Sequence, residues 1–277
     1  MKVEVFLTSA NVSEEDVKDR TVIVIDVLRA CSTIATALVN GARSIVPVAD
    51  MAQASKIASN LDQASYLLGG ERDGDRIEGY HLGNSPLEYT PEVVKGRTII
   101  LNTTNGTVAI AQARAARHLL IGSFLNVGRV VDFAREADLD VTIICAGWRN
   151  RVSLEDTLCA GQMVYRLWDG VEPGLVSDTA HIAFTQYRND KDRLDEAWQS
   201  IKAKLVLASF TSLHVNIGCR VANPHAKQRI EPSQNVRRSY SWRFHEMSQG
   251  VIAVPMWIPQ IGYFAGLVIL LIAFDIL

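Results

Sequence analysis

A run of four aliphatic residues at positions 22–25 constrains the fold more than any other feature of the sequence. Such a run, apolar at every position, is typical of a strand that is buried on both faces, as in a parallel sheet. It ends at Asp26, whose carboxylate is costly to bury unless something compensates its charge. Arg29, Ser32 and Thr33 follow at the start of a helix-like stretch, so an acid, a base and two hydroxyls lie where a strand passes into a helix.

Two interpretations of this segment stay open. The carboxyl ends of parallel strands are where open α/β sheets bind ligands, and a helix N-terminus attracts anions. Alternatively, Asp26 caps the helix and Arg29 neutralises the carboxylate.

The same alternation of short apolar runs and helical patterns continues along the first two thirds of the chain. Strands are predicted at residues 2–7, 21–26, 44–48, 65–68, 97–101, 119–122 and 140–145. Helices are predicted at residues 31–40, 51–61, 104–117, 126–136, 154–167, 176–188 and 192–207. This order predicts an α/β fold, a layered αβα arrangement with a mainly parallel sheet.

Length and composition exclude several classes of protein. The 277 residues suit one large domain or two small ones, and a net charge of −2 gives no sign of nucleic-acid binding. The four cysteines are scattered without CxxC spacing, which argues against a zinc site or a disulfide scaffold and favours a cytoplasmic location. The N-terminus turns polar too early for a signal peptide. A homo-oligomer is compatible with the sequence.

A long polar segment at residues 69–90 follows the fourth predicted strand. Loops of this length are usually functional or disordered. Glu71 and Arg72, where the strand ends, are candidate site residues, and Asn84 and Ser85 further along are candidate substrate ligands. The remaining acids of the segment are interpreted as solvated surface groups.

A second polar turn, at residues 102–107, lies between another buried strand and a helix. Thr104, Asn105, Gly106 and Thr107 combine hydroxyls, a tight turn and helix-start N–H groups, which suit an oxyanion. A helix cap at Thr104 or Thr107 is the alternative, although the hydroxyls outnumber what a cap needs.

A third segment follows the strand at residues 140–145 and includes Gly147. Ser153 and Asp156 have the spacing of a capping box, which leaves Glu155 unexplained. Two adjacent carboxylates at such an edge also suit Mg²⁺, which binds one or two carboxylates together with waters and phosphate oxygens.

In a parallel sheet these segments would converge on one edge, because they all follow strands. Their carboxylates, guanidinium groups and hydroxyls would suit a phosphate ester held with a hard divalent cation. The sequence has no Walker A, GxGxxG or GxSxG motif, and His81 is the one histidine in these segments.

The ordered segments resemble the 2-phosphosulfolactate phosphatases, Mg²⁺-dependent enzymes of coenzyme M biosynthesis. The resemblance rests on IDVLRA and STI at residues 25–30 and 32–34, GER at 70–72, GNSPLE at 83–88, TTNGT at 103–107, CAG at 145–147 and LED at 154–156. It covers roughly residues 1–170. Cys31 departs from the pattern, because a small hydroxyl residue is expected there.

The resemblance implies hydrolysis of 2-phospho-3-sulfolactate to 3-sulfolactate and phosphate, with Mg²⁺ as cofactor. The expected catalytic residues are Asp26, Arg29 and Glu71. The expected metal ligands are Asp26 with one or more of Glu71, Glu155 and Asp156. The expected substrate-binding residues are Ser32, Thr33, Arg72, Asn84, Ser85, Thr104, Asn105, Gly106, Thr107 and Gly147. Whether water or Asp26 attacks the phosphorus stays open, and a catalytically inactive relative that binds a small anion is the alternative.

The C-terminal third departs from the family pattern. We therefore divide the chain into a phosphatase-like domain, residues 1–208, and a divergent segment, residues 209–277. A genuinely different C-terminus or a shift of reading frame near residue 208 would each explain it. The apolar stretch at residues 261–274 is too short and its approach too rich in proline for a spanning helix, so a buried helix or an artefactual tail is preferred over a membrane anchor.

Overall fold

The computed structural model describes residues 1–168, 173–193, 251–255 and 269–273. Its strands are β1 Val3–Phe6, β2 Thr21–Ile25, β3 Ser44–Val48, β4 Tyr66–Arg72, β5 Asp75–Arg76, β6 Thr98–Asn102, β7 His118–Gly122, β8 Val141–Cys145, β9 Val251–Pro255 and β10 Ile269–Ala273. Its helices are α1 Ala30–Val39, α2 Met51–Ala58, α3 Pro91–Val94, α4 Gly106–Gln112, α5 Val127–Ala137, α6 Leu154–Leu167 and α7 Asp178–Asp190.

The strands form two sheets. The six-stranded sheet has the order β1-β8-β2-β7-β10-β9 and is parallel except for β9, which runs antiparallel to β10. The four-stranded sheet has the order β3-β6-β4-β5, with β3, β6 and β4 parallel and β5 antiparallel. The predicted layered α/β fold is confirmed, and the strands that the sequence assigned to one mainly parallel sheet divide between two.

Strand β2 shows why a run of aliphatic residues was informative. All five of its residues are buried, because helices cover both faces of the six-stranded sheet. Val22 and Val24 belong to a core shared with α1, α4 and the four-stranded sheet. Ile23 and Ile25 belong to a second core, shared with α5, α6 and α7. Helices α1 and α4 contact strands of both sheets and so lie between them.

The register of the strands brings the predicted site segments together. Ile25 at the end of β2 pairs with Gly122 on β7 and with Cys145 on β8. In the other sheet, Gly70 on β4 pairs with Asn102 on β6. The segments that follow these strands therefore leave each sheet side by side.

Most predicted elements that the structure describes agree with it within a few residues, and two differ. Strand β4 continues through Arg72 and pairs with β5, so the long loop predicted from residue 69 begins later. Helix α4 ends at Gln112 in a 3-10 turn, because Ala116 is already extended in a bridge with Lys18. The helix predicted at residues 192–207 lies almost wholly outside the described residues.

In the apolar tail, the structure assigns strand rather than helix to residues 269–273. Strand β10 lies beside β7, with Leu270 opposite Leu119. The expected buried helix is therefore wrong for these residues, and short aliphatic runs suit either structure when periodicity alone is considered. Within the described ranges no helix has the length and apolarity to cross a bilayer. Within the divergent segment, residues 209–250, 256–268 and 274–277 lie outside the described residues.

Candidate active site

Asp26 is the first residue after β2, and its side chain is 8% exposed. The N–H of Ala30, at the start of α1, donates to its carboxylate, as the capping interpretation expected. Burial raises the pKa of Asp26 to about 7, and repulsion from Glu71 and Glu155 adds to this shift while Arg29 opposes it. A carboxylate in this environment favours any cation that can reach it.

The two sheets meet at Asp26. A Cβ built on Gly106, the first residue of α4, would lie 2.5 Å from the Asp26 Oδ2 atom and 2.5 Å from the Ala30 Cβ. Only a residue without a side chain lets the start of α4 approach the end of β2 this closely. Gly106 therefore acts as a spacer that gives the carboxylate its room.

Glu71, on β4 and 7% exposed, braces the turns on either side of it. Its Oε1 accepts the Thr104 N–H at 2.6 Å, and its Oε2 accepts the Thr104 hydroxyl at 3.0 Å and the Gly74 N–H at 2.7 Å. Both carboxylate oxygens are thus engaged in holding the protein together.

The threonine-rich turn uses its hydroxyls internally. Thr103 Oγ1 accepts the N–H of Thr107 at 3.0 Å, and Thr107 Oγ1 donates to the Thr103 carbonyl at 2.8 Å. The alternative interpretation, a helix cap at Thr104 or Thr107, is not what the structure shows, because the Thr103 hydroxyl accepts the Thr107 N–H in the first turn of the helix. Asn105 flanks the helix without a side-chain capping bond. The turn offers a compact, braced backbone next to Asp26.

Asp156, in the first turn of α6, points into the core rather than capping its own helix. Its Oδ1 accepts the Val27 N–H at 2.8 Å and its Oδ2 accepts the Gly147 N–H at 3.1 Å. The capping box with Ser153 is wrong, because the Ser153 hydroxyl donates to Glu155 Oε1 at 2.7 Å and makes no cap. Burial, followed by repulsion from neighbouring carboxylates, raises the pKa of Asp156 well above its usual range.

Two arginines lie at the strand ends. The partly buried Arg29 donates to the Gly74 carbonyl at 3.1 Å, and Arg72 donates to Asn102 Oδ1 at 3.3 Å from an exposed position. Burial lowers the pKa of Arg29, and the nearby carboxylates of Glu71 and Asp26 oppose that shift. Arg29 is therefore the predicted guanidinium that the structure places nearest the buried carboxylates.

Helix α1 anchors the segment that contains Asn84 and Ser85. The Thr33 hydroxyl donates to the Asn84 carbonyl at 3.0 Å, and the Ser32 hydroxyl donates to the Val27 carbonyl at 2.7 Å. Asn84 and Ser85 are 5% and 3% exposed, yet the Asn84 Oδ1 and Ser85 Oγ atoms have no hydrogen-bond partner. Buried polar atoms without partners are uncommon and are available to a ligand.

Comparison with known protein families matches the part of the chain that contains these segments. The profile of the 2-phosphosulpholactate phosphatase family matches residues 6–216, which extends beyond the residues that carry the motifs. The chain belongs to this family.

Curated relatives agree with the family assignment. A probable 2-phosphosulfolactate phosphatase of Caldanaerobacter subterraneus is 38% identical over 192 residues, which are 69% of this chain and 80% of the relative. Proteins of the same description from Clostridium acetobutylicum and Symbiobacterium thermophilum are 41% and 42% identical, over 69% and 65% of this chain and 81% and 77% of their own lengths. The family is one of phosphoric monoester hydrolases.

The predicted metal ligands of this phosphatase family member are only partly brought together. Among the described residues, no three His, Cys, Asp or Glu side chains are grouped so that they could jointly hold a metal ion. Mg²⁺ needs only one or two carboxylates. Asp26 and Glu155 suit it best by chemistry. The Ser153 hydroxyl engages Oε1 of Glu155, whereas donors engage both carboxylate oxygens of Glu71 and of Asp156. Burial is the main cause of the raised pKa of Asp26, and the repulsion from Glu71 and Glu155 that adds to it is what a divalent cation would relieve.

The sequence analysis passed over two sets of residues at this edge. Ser123 and Asn126 follow β7 and are fully buried, and the Asn126 amide closes its own turn by accepting the Ser123 N–H at 2.8 Å. Sequence analysis selected polar residues that follow buried strands, and the same criterion would have found Ser123 and Asn126. Arg149 and Asp73 form an ion pair at 2.8 Å across the two sheets, a contact between distant segments that sequence alone does not reveal.

Proposed function

We propose that this protein hydrolyses 2-phospho-3-sulfolactate, or a closely similar small anionic phosphoester, to 3-sulfolactate and phosphate with Mg²⁺ as cofactor. In this proposal the reaction belongs to coenzyme M biosynthesis and takes place in the cytoplasm. Three free, buried cysteines among the described residues are in keeping with a reducing compartment.

One observation carries the proposal, namely the environment of Asp26. Asp26 is a carboxylate buried at a sheet edge, with a pKa raised to about 7 and further carboxylates close by. Such a group destabilises the folded protein when it has no binding or catalytic role. Its position at the meeting point of both sheets favours a role in binding and chemistry.

The residues around Asp26 suit an anionic ester. Arg29 supplies positive charge beside the carboxylates, and the unpartnered Ser85 hydroxyl supplies a hydrogen-bond donor in a buried setting. A substrate with phosphate, sulfonate and carboxylate groups needs donors of this kind to replace its lost hydration.

Asp26 and Glu155 would hold the cofactor, and Mg²⁺ when bound would offset negative charge on the phosphoryl oxygens. Arg29 would orient the phosphate, and the brace made by Glu71 would keep the turns at residues 73–74 and 103–107 rigid around it. Asp156 would fix the backbone at Val27, directly after Asp26. Attack by water and attack by Asp26 both remain compatible with this arrangement.

The experiment is an assay of phosphate release from 2-phosphosulfolactate with Mg²⁺ and with EDTA. Asp26→Asn should abolish turnover, and Glu155→Gln should raise the Mg²⁺ concentration needed for half-maximal rate. Asp62→Asn is the matched control, because Asp62 is an exposed carboxylate that precedes β4 at the opposite edge of the sheet. Full activity of Asp26→Asn would refute both the metal-binding and the nucleophilic role of Asp26.

A further inference from the structure

The segment after β8 forms a tight turn that displays Arg149. The N–H groups of Trp148 and Arg151 each donate to the other's carbonyl at 2.9 Å, and Arg149 and Asn150 between them have φ values of 50° and 58°. Asparagine tolerates this left-handed region, whereas arginine adopts it uncommonly. Backbone conformations of this kind concentrate at functional sites.

The turn places Arg149 against both neighbouring turns of the candidate site. Its N–H donates to Asn105 Oδ1 at 3.3 Å, and its guanidinium contacts Asp73 Oδ1 at 2.8 Å. Glu71 holds Thr104 and Gly74 by hydrogen bonds. Asn105 is the residue after Thr104, and Asp73 is the residue before Gly74. Arg149 therefore connects the six-stranded sheet to the rim of the four-stranded one.

Stability does not explain this arrangement. The Arg149 and Asp73 side chains are 59% and 60% exposed, and ion pairs exposed to this degree contribute little to folding. A partner that is weakly held and solvent-accessible is readily exchanged for another anion.

We propose that Arg149 is a specificity-determining residue that binds an anionic group of the substrate other than the phosphate, with Asp73 as its partner when no substrate is bound. This inference rests on the proposed function. The planar guanidinium fork matches the oxygen atoms of a carboxylate or sulfonate. The buried groups around Asp26 and Arg29 serve the phosphate, while Arg149 stands at the rim, where the remainder of a small polyanion would extend.

The test measures binding of 3-sulfolactate, which carries the sulfonate and carboxylate but no phosphate, by calorimetry on the full chain. Arg149→Gln should weaken binding by about 10- to 100-fold, the loss expected for hydrogen bonds to a charged group. Arg149→Lys should lose less, because it keeps the charge without the fork. Arg151→Gln is the matched control, since Arg151 lies exposed in the same turn and holds it through backbone atoms.

Asp73→Asn separates the proposal from a merely structural ion pair. If Asp73 competes with the ligand for Arg149, its neutralisation tightens 3-sulfolactate binding, whereas loss of a structural contact would make Asp73→Asn and Arg149→Gln weaken binding alike. The proposal would be overturned if Asp73→Asn and Arg149→Gln weakened binding alike, or if Arg149→Gln lost no more affinity than Arg151→Gln. It would also be overturned if the wild type did not bind 3-sulfolactate at millimolar concentration.

Turnover distinguishes this inference from the proposed function. Absence of phosphate release from 2-phosphosulfolactate would refute the proposed reaction, while the calorimetric comparison would still decide the role of Arg149. With turnover present, Arg149→Gln should raise KM for 2-phosphosulfolactate, whereas the control Arg151→Gln should leave it unchanged.

Discussion

The carboxylate of Asp26 lies so close to Gly106 that a Cβ built on the glycine would be 2.5 Å from Oδ2. This contact joins the end of a central strand in one sheet to the first residue of a helix that follows a strand in the other. The candidate site exists because the two sheets approach each other at this point.

Replacement of Gly106 by alanine should therefore displace Asp26. We expect a destabilisation of about 1–3 kcal/mol from overpacking, together with a loss of turnover of about 100-fold or more because the carboxylate moves. Urea denaturation and phosphate release measure the two effects. Gly174→Ala is the control, since a Cβ there meets nothing within 4 Å. Wild-type activity in Gly106→Ala would contradict the importance of the contact.

Asp156 should act by holding the backbone at Val27 and Gly147 in place, and not as a metal ligand. Asp156→Asn leaves one of the Val27 and Gly147 N–H groups without its acceptor, which costs about 1–3 kcal/mol in a buried setting. The expected result is a lower urea midpoint with an unchanged Mg²⁺ requirement. Glu155→Gln is the counterpart, and we expect the reverse pattern from it. A large rise in the Mg²⁺ requirement of Asp156→Asn would instead make Asp156 a metal ligand.

The charge state of Asp26 predicts how stability depends on pH in EDTA. Its pKa is about 7 when folded against an ordinary value of 3.8, so between these values the folded protein binds more protons than the unfolded chain. Stability therefore falls as pH rises through this window, and it levels off above pH 7. Asp26→Asn removes this contribution, so its stability relative to wild type should increase from pH 5 to pH 8.

Mg²⁺ should reverse the effect in the wild type, because it binds the ionised carboxylate. The expected stabilisation by Mg²⁺ is larger at pH 8 than at pH 5.5 and absent from Asp26→Asn. Thermal unfolding at matched ionic strength measures it. A wild type and an Asp26→Asn variant whose stabilities run parallel in EDTA would contradict the raised pKa.

Glu71 offers a prediction about rigidity. Glu71→Gln keeps an acceptor for the Thr104 N–H, but its amide nitrogen can accept neither the Gly74 N–H nor the Thr104 hydroxyl, both of which now donate to Oε2. We expect faster amide hydrogen exchange at residues 73–74 and 103–105 and a partial loss of turnover. Exchange identical to wild type with abolished turnover would instead indicate direct participation of Glu71 in the chemistry.

Sequence patterns predicted the strand ends well because their signal is local. An apolar run that stops at Asp26 marks a sheet edge without knowledge of the fold. The end of β4 was the exception, because the polar residues Glu71 and Arg72 continue the strand by pairing with β5. The capping box at Ser153 failed for a related reason. The spacing was correct, but Asp156 accepts hydrogen bonds from the Val27 and Gly147 N–H groups instead of capping its helix. Only the pairing of the strands brings these two N–H groups close together.

What sequence could not reveal are the contacts between the two sheets. Nothing local indicates that Gly106 faces Asp26 or that Arg149 reaches Asp73, because each pair is separated by more than 70 residues and meets only when both sheets have formed. The division of the strands between two sheets is similarly a matter of long-range pairing, since the apolar runs of β2 and β6, which lie in different sheets, are alike in pattern.

The most direct test of the account is phosphate release from 2-phosphosulfolactate by the wild type and by Asp26→Asn, each with Mg²⁺ and with EDTA. The account predicts turnover by the wild type with Mg²⁺, loss of that turnover in EDTA, and none from Asp26→Asn under either condition. Turnover that persists in EDTA would contradict the metal requirement, and turnover that survives Asp26→Asn would contradict the site itself.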